Sequence, residues 1–325
     1  MALRFLHSQL FVTPPVPTTS FANKTVIVTG SNTGLGLEAA RHFTRLGAST
    51  VILGVRALSR GEAARASIEA STGRLDVVRV MHLDMSSYES VLSFAATVSK
   101  ECERVDVVLL NAGVNRGTWE VFESHESTLT VNVFSTLLLA QALLPKMQET
   151  SRKFNTSPAL SMTGSEVHEF AQFPEKHAPL GQIFAQLDAK KKDGKDVDLG
   201  NRYQLSKLLQ LLCARALAVE AATASSNVTI STANPGLCKS ELSRESGWGM
   251  WVLELLLART AEVGSRSLVS AAGMGAEAHG KYVSDDIVAD VAAWVESEEG
   301  KEVQERVWKE VKGEIDGVLA MKGTA

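Results

Sequence analysis

From residue 25 onward the chain alternates short, nearly unbroken apolar runs with longer stretches whose apolar residues recur every three or four positions. The short runs are rich in β-branched residues and predict strands at 26–29, 49–55, 77–83, 105–110, 159–162 and 228–233. The periodic stretches predict helices at 37–46, 59–70, 86–100, 125–147 and 201–219. Strands that are apolar on both faces and separated by helices assemble into a parallel sheet covered on both sides. The pattern therefore predicts an α/β fold, a doubly wound, Rossmann-like parallel sheet in a single domain over 23–325, preceded by an arm over 1–22. No internal repeat and no domain boundary interrupts it. The polar run Lys190 to Asp196 is expected as a solvated loop tip.

Ligands of such sheets bind beyond the carboxyl ends of the strands. Gly30, Asp84, Asn111, Ser165 and the pair Pro235-Gly236 all fall just past predicted strand ends. The first strand runs into Gly30-Ser31-Asn32-Thr33-Gly34-Leu35-Gly36, and a helix follows directly. A strand–turn–helix junction of this kind aims backbone N–H groups and the positive end of a helix at an anion. Gly30 would permit the tight turn, Gly34 a close approach to a pyrophosphate, and Gly36 close helix–strand packing. The spacing Gly-x-x-x-Gly-x-Gly differs from Gly-x-Gly-x-x-Gly, so the triplet needs support from elsewhere in the chain.

Composition narrows the function further. The 325 residues are 45% hydrophobic and 22% charged, as in a globular protein with a substantial core. A net charge of −4 without a basic run argues against nucleic acid as a partner. Cys102, Cys213 and Cys238 have neither disulfide nor zinc spacing, so no metal is expected and a reducing, cytoplasmic setting is. Pro14, Pro15 and Pro17 break the N-terminal arm, which lacks the features of a signal peptide. No run reaches the roughly 20 apolar residues of a membrane span. Peripheral membrane contact stays open for the apolar stretch 248–258.

Four motifs in order resemble those of the short-chain dehydrogenases/reductases: the turn at 29–36, Asn111-Ala112-Gly113, Tyr203-Gln204-Leu205-Ser206-Lys207, and Asn234-Pro235-Gly236. The resemblance runs from about Lys24 to beyond Tyr282. Its texture at 51–56, at His279-Gly280-Lys281-Tyr282 and in the Thr-Pro-Pro arm is similar to the retinol-dehydrogenase-like branch and its fungal members.

Tyr203 and Lys207 lie one helical turn apart on one face. The stripe Leu205, Leu208, Leu209, Leu212 and Ala216 would face the core and leave that pair pointing elsewhere. A free tyrosine titrates at about 10, and a neighbouring ammonium together with an oxidised nicotinamide would lower it. The resemblance implies that Tyr203 exchanges a proton with the substrate oxygen, that Lys207 bonds the nicotinamide ribose, and that Ser165 holds the substrate oxygen. Ser161 competes for that last role but falls inside a strand. The resemblance also makes Asn132 the fourth catalytic residue, kinking its helix and helping to hold a water that links the lysine to solvent. His168 is placed near the pocket mouth.

The resemblance assigns the cofactor to Gly30, Ser31, Asn32, Thr33, Gly34, Leu35, Gly36, Asn111, Ala112, Gly113, Tyr203, Lys207, Pro235 and Gly236. It adds Ser240 at the nicotinamide amide and Asp84 near the adenine. No acid ends the second strand; Gly54 and Val55 are followed by Arg56, which could grip a 2′-phosphate, so NADP(H) is favoured over NAD(H).

Thirty-eight residues separate Ser165 from Tyr203, so 166–201 reads as an insertion that alters access to the site. Residues 241–260 read as a substrate lid suited to a bulky apolar ligand. The expected function is an NADP(H)-dependent oxidoreductase that interconverts a ketone or aldehyde and an alcohol on a medium-sized, largely apolar small molecule. The resemblance suggests ketone reduction in a fungal natural-product pathway, by a monomer or homodimer. The alternatives are a non-catalytic NADP(H)-binding sensor or structural subunit, and an epimerase or dehydratase on a related fold.

Overall fold

A computed structural model of the chain describes residues 2–192, 195–196, 199–223, 227–239 and 257–323. The strands of its main sheet are β1 (Thr25–Thr29), β2 (Thr50–Val55), β3 (Val78–His82), β4 (Val107–Leu110), β5 (Ala159–Thr163), β6 (Thr229–Asn234), β7 (Lys281–Ser284) and β8 (Ile287–Ala289). They bond in the order β3-β2-β1-β4-β5-β6-β7-β8, with the first seven parallel and β8 antiparallel at the edge. The order reverses direction between β1 and β4, which opens a crevice at their carboxyl ends. Gly30 and Asn111 sit at that point.

Alternation along each strand divides the core in two. Val26, Val28, Val51, Leu53 and Leu109 face one layer, where Ala39 and Phe43 of α2 (Gly34–Arg45), Ile68 of α3 (Leu58–Thr72) and Leu268 of a later helix cover them. Ile27, Ile52, Val108 and Leu110 face the other. There Val98 of α4 (Tyr88–Glu101), Leu137 of α5 (Ser127–Phe154) and Leu212 of α7 (Arg202–Thr223) close the layer, with Val311 of the C-terminal helix (Glu298–Gly323) packed outside. The doubly wound, single-domain architecture is therefore present, with β7, β8 and the C-terminal helix added beyond the predicted elements.

Several local departures have physical causes. Residues 2–11 are a helix, α1 (Ala2–Phe11), although the sequence offers no long periodic run there. Helices this short depend on tertiary contacts. Arg259 supplies them, donating to the carbonyls of Ser8 (2.8 Å) and Val12 (3.0 Å) near the helix end while pairing with Asp285 at 2.7 Å. Helix α2 starts at Gly34, not at 37, and so brings Gly34 and Gly36 into its first turn. Helix α5 starts after His125, because His125 and Glu126 pair with Val121–Phe122 and the Glu126 carboxylate accepts the Thr128 N–H at 2.8 Å. It then runs past Pro145 to Phe154.

Helix α7 is buried well beyond the predicted stripe. Ser206, Lys207, Gln210, Leu211 and Cys213 are buried alongside Leu205, Leu208, Leu209 and Leu212, because α7 packs between β6, α5 and the C-terminal helix. Lys207 therefore lies inside the protein and does not point away from it, as the one-sided stripe suggested.

The described residues of 166–201 form two 3₁₀ turns, Glu166–Phe170 and Pro174–His177, then α6 (Ile183–Leu187), two short antiparallel strands, Lys191–Lys192 and Lys195–Asp196, and a final turn. Ile183, Phe184 and Leu187 are buried. The Glu310 carboxylate of the C-terminal helix accepts the N–H groups of Ile183 (3.2 Å) and Phe184 (3.1 Å), so this segment is anchored to that helix. Among the described residues one helix, Ser127–Phe154, is long and apolar enough to cross a membrane, and 83% of its most apolar window is buried inside the protein. The lid predicted over 241–260 lies outside the described residues except for its last four positions.

Candidate active site

The glycine turn has the geometry its residues require. Gly30 has φ +63° and lies so close to Ala112 that an added Cβ would fall 2.9 Å from the Ala112 Cα. A Cβ on Gly36 would meet the Gly30 carbonyl oxygen at 2.5 Å and Asn111 Nδ2 at 2.6 Å, so Gly36 permits the packing of helix on strand. Gly34 has φ +57°, and a Cβ there would meet nothing within 4 Å. That open face, with a helix whose N-cap Thr33 makes no side-chain cap, leaves α2's first N–H groups available to an anion.

The other turn residues divide. Asn32 and Thr33 are half-buried and line a hollow of 320 Å³. Ser31 is fully buried, its hydroxyl donating to the Val28 carbonyl at 2.8 Å, so it reaches a ligand through backbone alone. Leu35 packs its side chain into the core beside Gly264.

At the crevice, Asn111 Nδ2 donates to the carbonyls of Thr29 (3.0 Å) and Gly30 (3.4 Å), while Thr29 Oγ1 accepts the N–H groups of Asn111 and Ala112, both at 2.9 Å. Asn111 thereby ties the ends of β1 and β4 together. The Asp84 carboxylate accepts both the N–H (2.9 Å) and the hydroxyl (2.7 Å) of Ser86, which fixes the turn after β3. Gly236 has φ +75°, and its N–H donates to Asn234 Oδ1 at 3.0 Å. Pro235 is buried behind it, with Arg259 bonded to its carbonyl at 3.3 Å. Ser240 lies outside the described residues.

Ser165, Tyr203 and Lys207 converge beyond β5. Ser165 starts the first 3₁₀ turn of the insertion, with its side chain near enough to Tyr203 to pull the phenol's pKa downward. Its competitor Ser161 is fully buried within β5 and accepts from the Ser231 hydroxyl at 3.3 Å. His168 is buried under Ser165: its Nδ1–H donates to the Ser165 carbonyl at 2.8 Å, and its ring packs edge-on against Tyr282. Burial pulls the His168 pKa down, so the ring stays neutral and orients Ser165 from behind.

Lys207 Nζ donates to the Thr163 carbonyl at 2.7 Å and to Gln210 Oε1 at 3.4 Å, and burial lowers its pKa to about 8. Tyr203 departs from expectation. Burial pushes its pKa up to about 12, with the Ser165 side chain opposing. Lys207, lowered to about 8, has already lost its charge at the pH where the phenol titrates, so no ammonium remains to lower it. The protein groups thus hold the phenol protonated.

Asn132 sits in a π turn, Thr130–Ser135, within α5. Its side chain clasps Val114, accepting the N–H at 2.8 Å and donating to the carbonyl at 2.9 Å, and it also donates to Ser206 Oγ at 2.9 Å. Asn132 therefore fixes the loop after β4 against α7.

Residues 24–154 match the short chain dehydrogenase family. The short chain dehydrogenase/reductase dmxR8 of Cryptosporiopsis sp. is 47% identical over 316 residues, 97% of either chain. The chain belongs to the short-chain dehydrogenase/reductase family. Short-chain dehydrogenase anuD of Penicillium roqueforti is 41% identical over 320 residues, covering 95% of this chain and 82% of that protein. A crystal structure of a Mycobacterium paratuberculosis protein shares the fold, with a TM-score of 0.69 at 22% identity over 92% of this chain and 96% of its own. As a short-chain dehydrogenase/reductase the chain is an oxidoreductase that uses a nicotinamide cofactor on a small-molecule substrate.

Three residues of this site went unweighed or underweighed in the sequence. Arg60, on the first turn of α3 and exposed like Arg56, lines the hollow with Asn32 and Thr33. Its position one helical turn beyond Arg56 was the available signal. His168 and Gln210 each have a partner three residues away, but Gln210 also reaches Asn132, 78 residues earlier, which no local pattern reveals.

Proposed function

We propose that the chain is an NADP(H)-dependent ketoreductase that interconverts a ketone or aldehyde and an alcohol on a medium-sized, largely apolar molecule. Its place is in fungal natural-product biosynthesis. The observation that carries this reading is the convergence of Ser165, Tyr203 and Lys207 beyond β5, next to the glycine turn. Bound against that turn, the nicotinamide cofactor supplies or accepts the hydride.

The chain's own residues do the rest. The N–H groups at the start of α2 and the open face of Gly34 suit a pyrophosphate. Lys207, its ammonium anchored on the Thr163 carbonyl, would hold the nicotinamide ribose. Ser165 orients the substrate oxygen, and Tyr203 passes its phenolic proton to that oxygen during reduction. A phenol held near 12 is protonated at neutral pH and so is ready to act as the acid in reduction.

The preference for NADP(H) rests on charge. β2 ends without an acid, the exposed Arg56 follows it directly, and the exposed Arg60 lines the hollow beside Asn32 and Thr33, so both guanidinium groups are available to a 2′-phosphate. The apolar substrate rests on the composition of 241–260. The reading places the protein in the cytoplasm, as a monomer or homodimer, where Cys102, Cys213 and Cys238 stay as free buried thiols.

The test is oxidation of NADPH and of NADH by purified protein against a panel of cyclic and aromatic ketones and long-chain aldehydes. The expected result is turnover of at least one apolar ketone, with kcat/KM higher for NADPH. Turnover confined to NADH would overturn the cofactor assignment. Tight NADPH binding without turnover across a broad panel would favour the non-catalytic alternative.

A further inference from the structure

Gln210 is buried, lies one turn beyond Lys207 on α7, and has a polar partner at each end of its amide. Its Oε1 accepts from the Lys207 ammonium at 3.4 Å, and its Nε2 donates to the backbone carbonyl of Asn132 at 3.1 Å. The amide orientation is determined by these partners. Reversed, an N–H would face an ammonium and an oxygen would face a carbonyl, and both contacts would become repulsive.

The Asn132 carbonyl is available because of the π turn. Widening the helix by one residue over Thr130–Ser135 breaks the regular ladder and leaves this oxygen for a donor outside the helix. A carbonyl so placed can bind a water; here a side chain reaches it. Asn132 is therefore joined to Lys207 by a protein group, while its own side chain holds Val114 and Ser206.

We propose that Gln210 is a positioning residue of this reductase, a fixed amide bridge that carries the released Asn132 carbonyl onto the Lys207 ammonium. The bridge and the Thr163 carbonyl engage two of the three ammonium hydrogens, leaving one for the ribose of the cofactor. It rests on the assignment of Lys207 to the cofactor site under the proposed function. A buried ammonium with a single acceptor is poorly solvated and free to turn about its long stem. Two acceptors on different elements, β5 and α7, hold it in one rotamer.

Neutral groups surround the ammonium. The Thr163 carbonyl faces it from β5, the Asn132 side chain and Gly113 backbone come from α5 and the loop after β4, and the Tyr203 ring comes from α7 itself. Burial lowers its titration, and no charged side chain among the described residues adds to or opposes that. A charge placed at Gln210 would therefore act on Lys207 without a competing partner.

The test uses full-length protein carrying ¹⁵Nζ-lysine, with the Lys207 resonance assigned from Lys207→Met, titrated by NMR in wild type, Gln210→Leu and Gln210→Glu. Loss of an acceptor of a charged donor should move the Lys207 titration down by about one pH unit in Gln210→Leu, and a carboxylate should move it up in Gln210→Glu. The basic limb of the kcat–pH profile should shift the same way, and Gln210→Asn should fall between wild type and Gln210→Leu. A Lys207 titration unchanged in Gln210→Glu and in any folded Gln210→Leu overturns the bridge, as does a loss of kcat that is uniform across pH. Because the titration needs neither substrate nor turnover, it stands or falls separately from the ketoreductase reading.

Discussion

Tyr203 and Lys207 share one helix face, yet the protein drives their titrations in opposite directions. Burial raises the phenol to about 12 and lowers the ammonium to about 8. For Lys207 this means that the charged form, needed to donate to a ribose, fades as pH rises through about 8. NADPH affinity should therefore weaken above that pH in wild type, and the weakening should vanish in Lys207→Met; titration by quenching of intrinsic fluorescence measures both. At the adenosine end, an arginine lost from a phosphate removes a charge-assisted hydrogen bond worth about 1.5–3 kcal/mol. Arg56→Ala should raise the KM for NADPH by roughly 10-fold or more and leave that for NADH nearly unchanged, with Arg60→Ala acting in the same direction. Equal effects on both cofactors would contradict the assignment. The Tyr–Lys pair was legible because its spacing is local. The raised tyrosine pKa was not, because it comes from burial, which depends on the tertiary packing around Tyr203 and leaves no local sequence pattern.

Two elements make separable predictions. In the glycine turn, a Cβ on Gly36 would strike the Gly30 carbonyl, whereas one on Gly34 would meet open space. Gly36→Ala should destabilise the fold by about 1–3 kcal/mol through overpacking. Gly34→Ala should cost only about 1 kcal/mol for its positive φ, yet weaken NADPH binding by crowding the anion. Thermal melts beside binding titrations distinguish the two. At the junction of the insertion with the C-terminal helix, His125 bonds Asp188 through Nδ1 (2.6 Å) and Glu314 through Nε2 (2.7 Å), stacked on Phe134. Burial lowers its pKa, but the bonds to Asp188 and Glu314 outweigh this and raise it to about 9. A folded pKa above the unfolded value of about 6.5 contributes stability that is complete below pH 6.5 and is lost as pH rises to 9. Urea unfolding should show that decline in wild type and a flatter profile in His125→Gln. The insertion was legible as extra length; its anchoring was not, because Glu310, Glu314 and Arg306 lie more than a hundred residues away.

At the scale of the whole molecule, apolar periodicity sufficed to order β1 to β6 and their helices, since strands buried on both faces and amphipathic helices leave strong local patterns. The N-terminal helix escaped because its support is Arg259, from the far end of the chain, not its own periodicity. β8 escaped because it is a three-residue edge strand, partly exposed. A cofactor that binds across the β1–β4 crevice should stabilise the entire domain by mass action, about 2.7 kcal/mol at a hundredfold excess over Kd. The melting temperature should therefore rise more with NADPH than with NADH at equal concentration. The central claim, that Tyr203 gives the proton that completes carbonyl reduction, is tested most directly by Tyr203→Phe, which keeps the ring and removes the acid. Wild type and variant would be compared for NADPH oxidation with the best ketone from the panel, alongside NADPH affinity and melting temperature. The account predicts a loss of about 10²–10⁴ in kcat with affinity and stability retained. Turnover within a few-fold of wild type would contradict it.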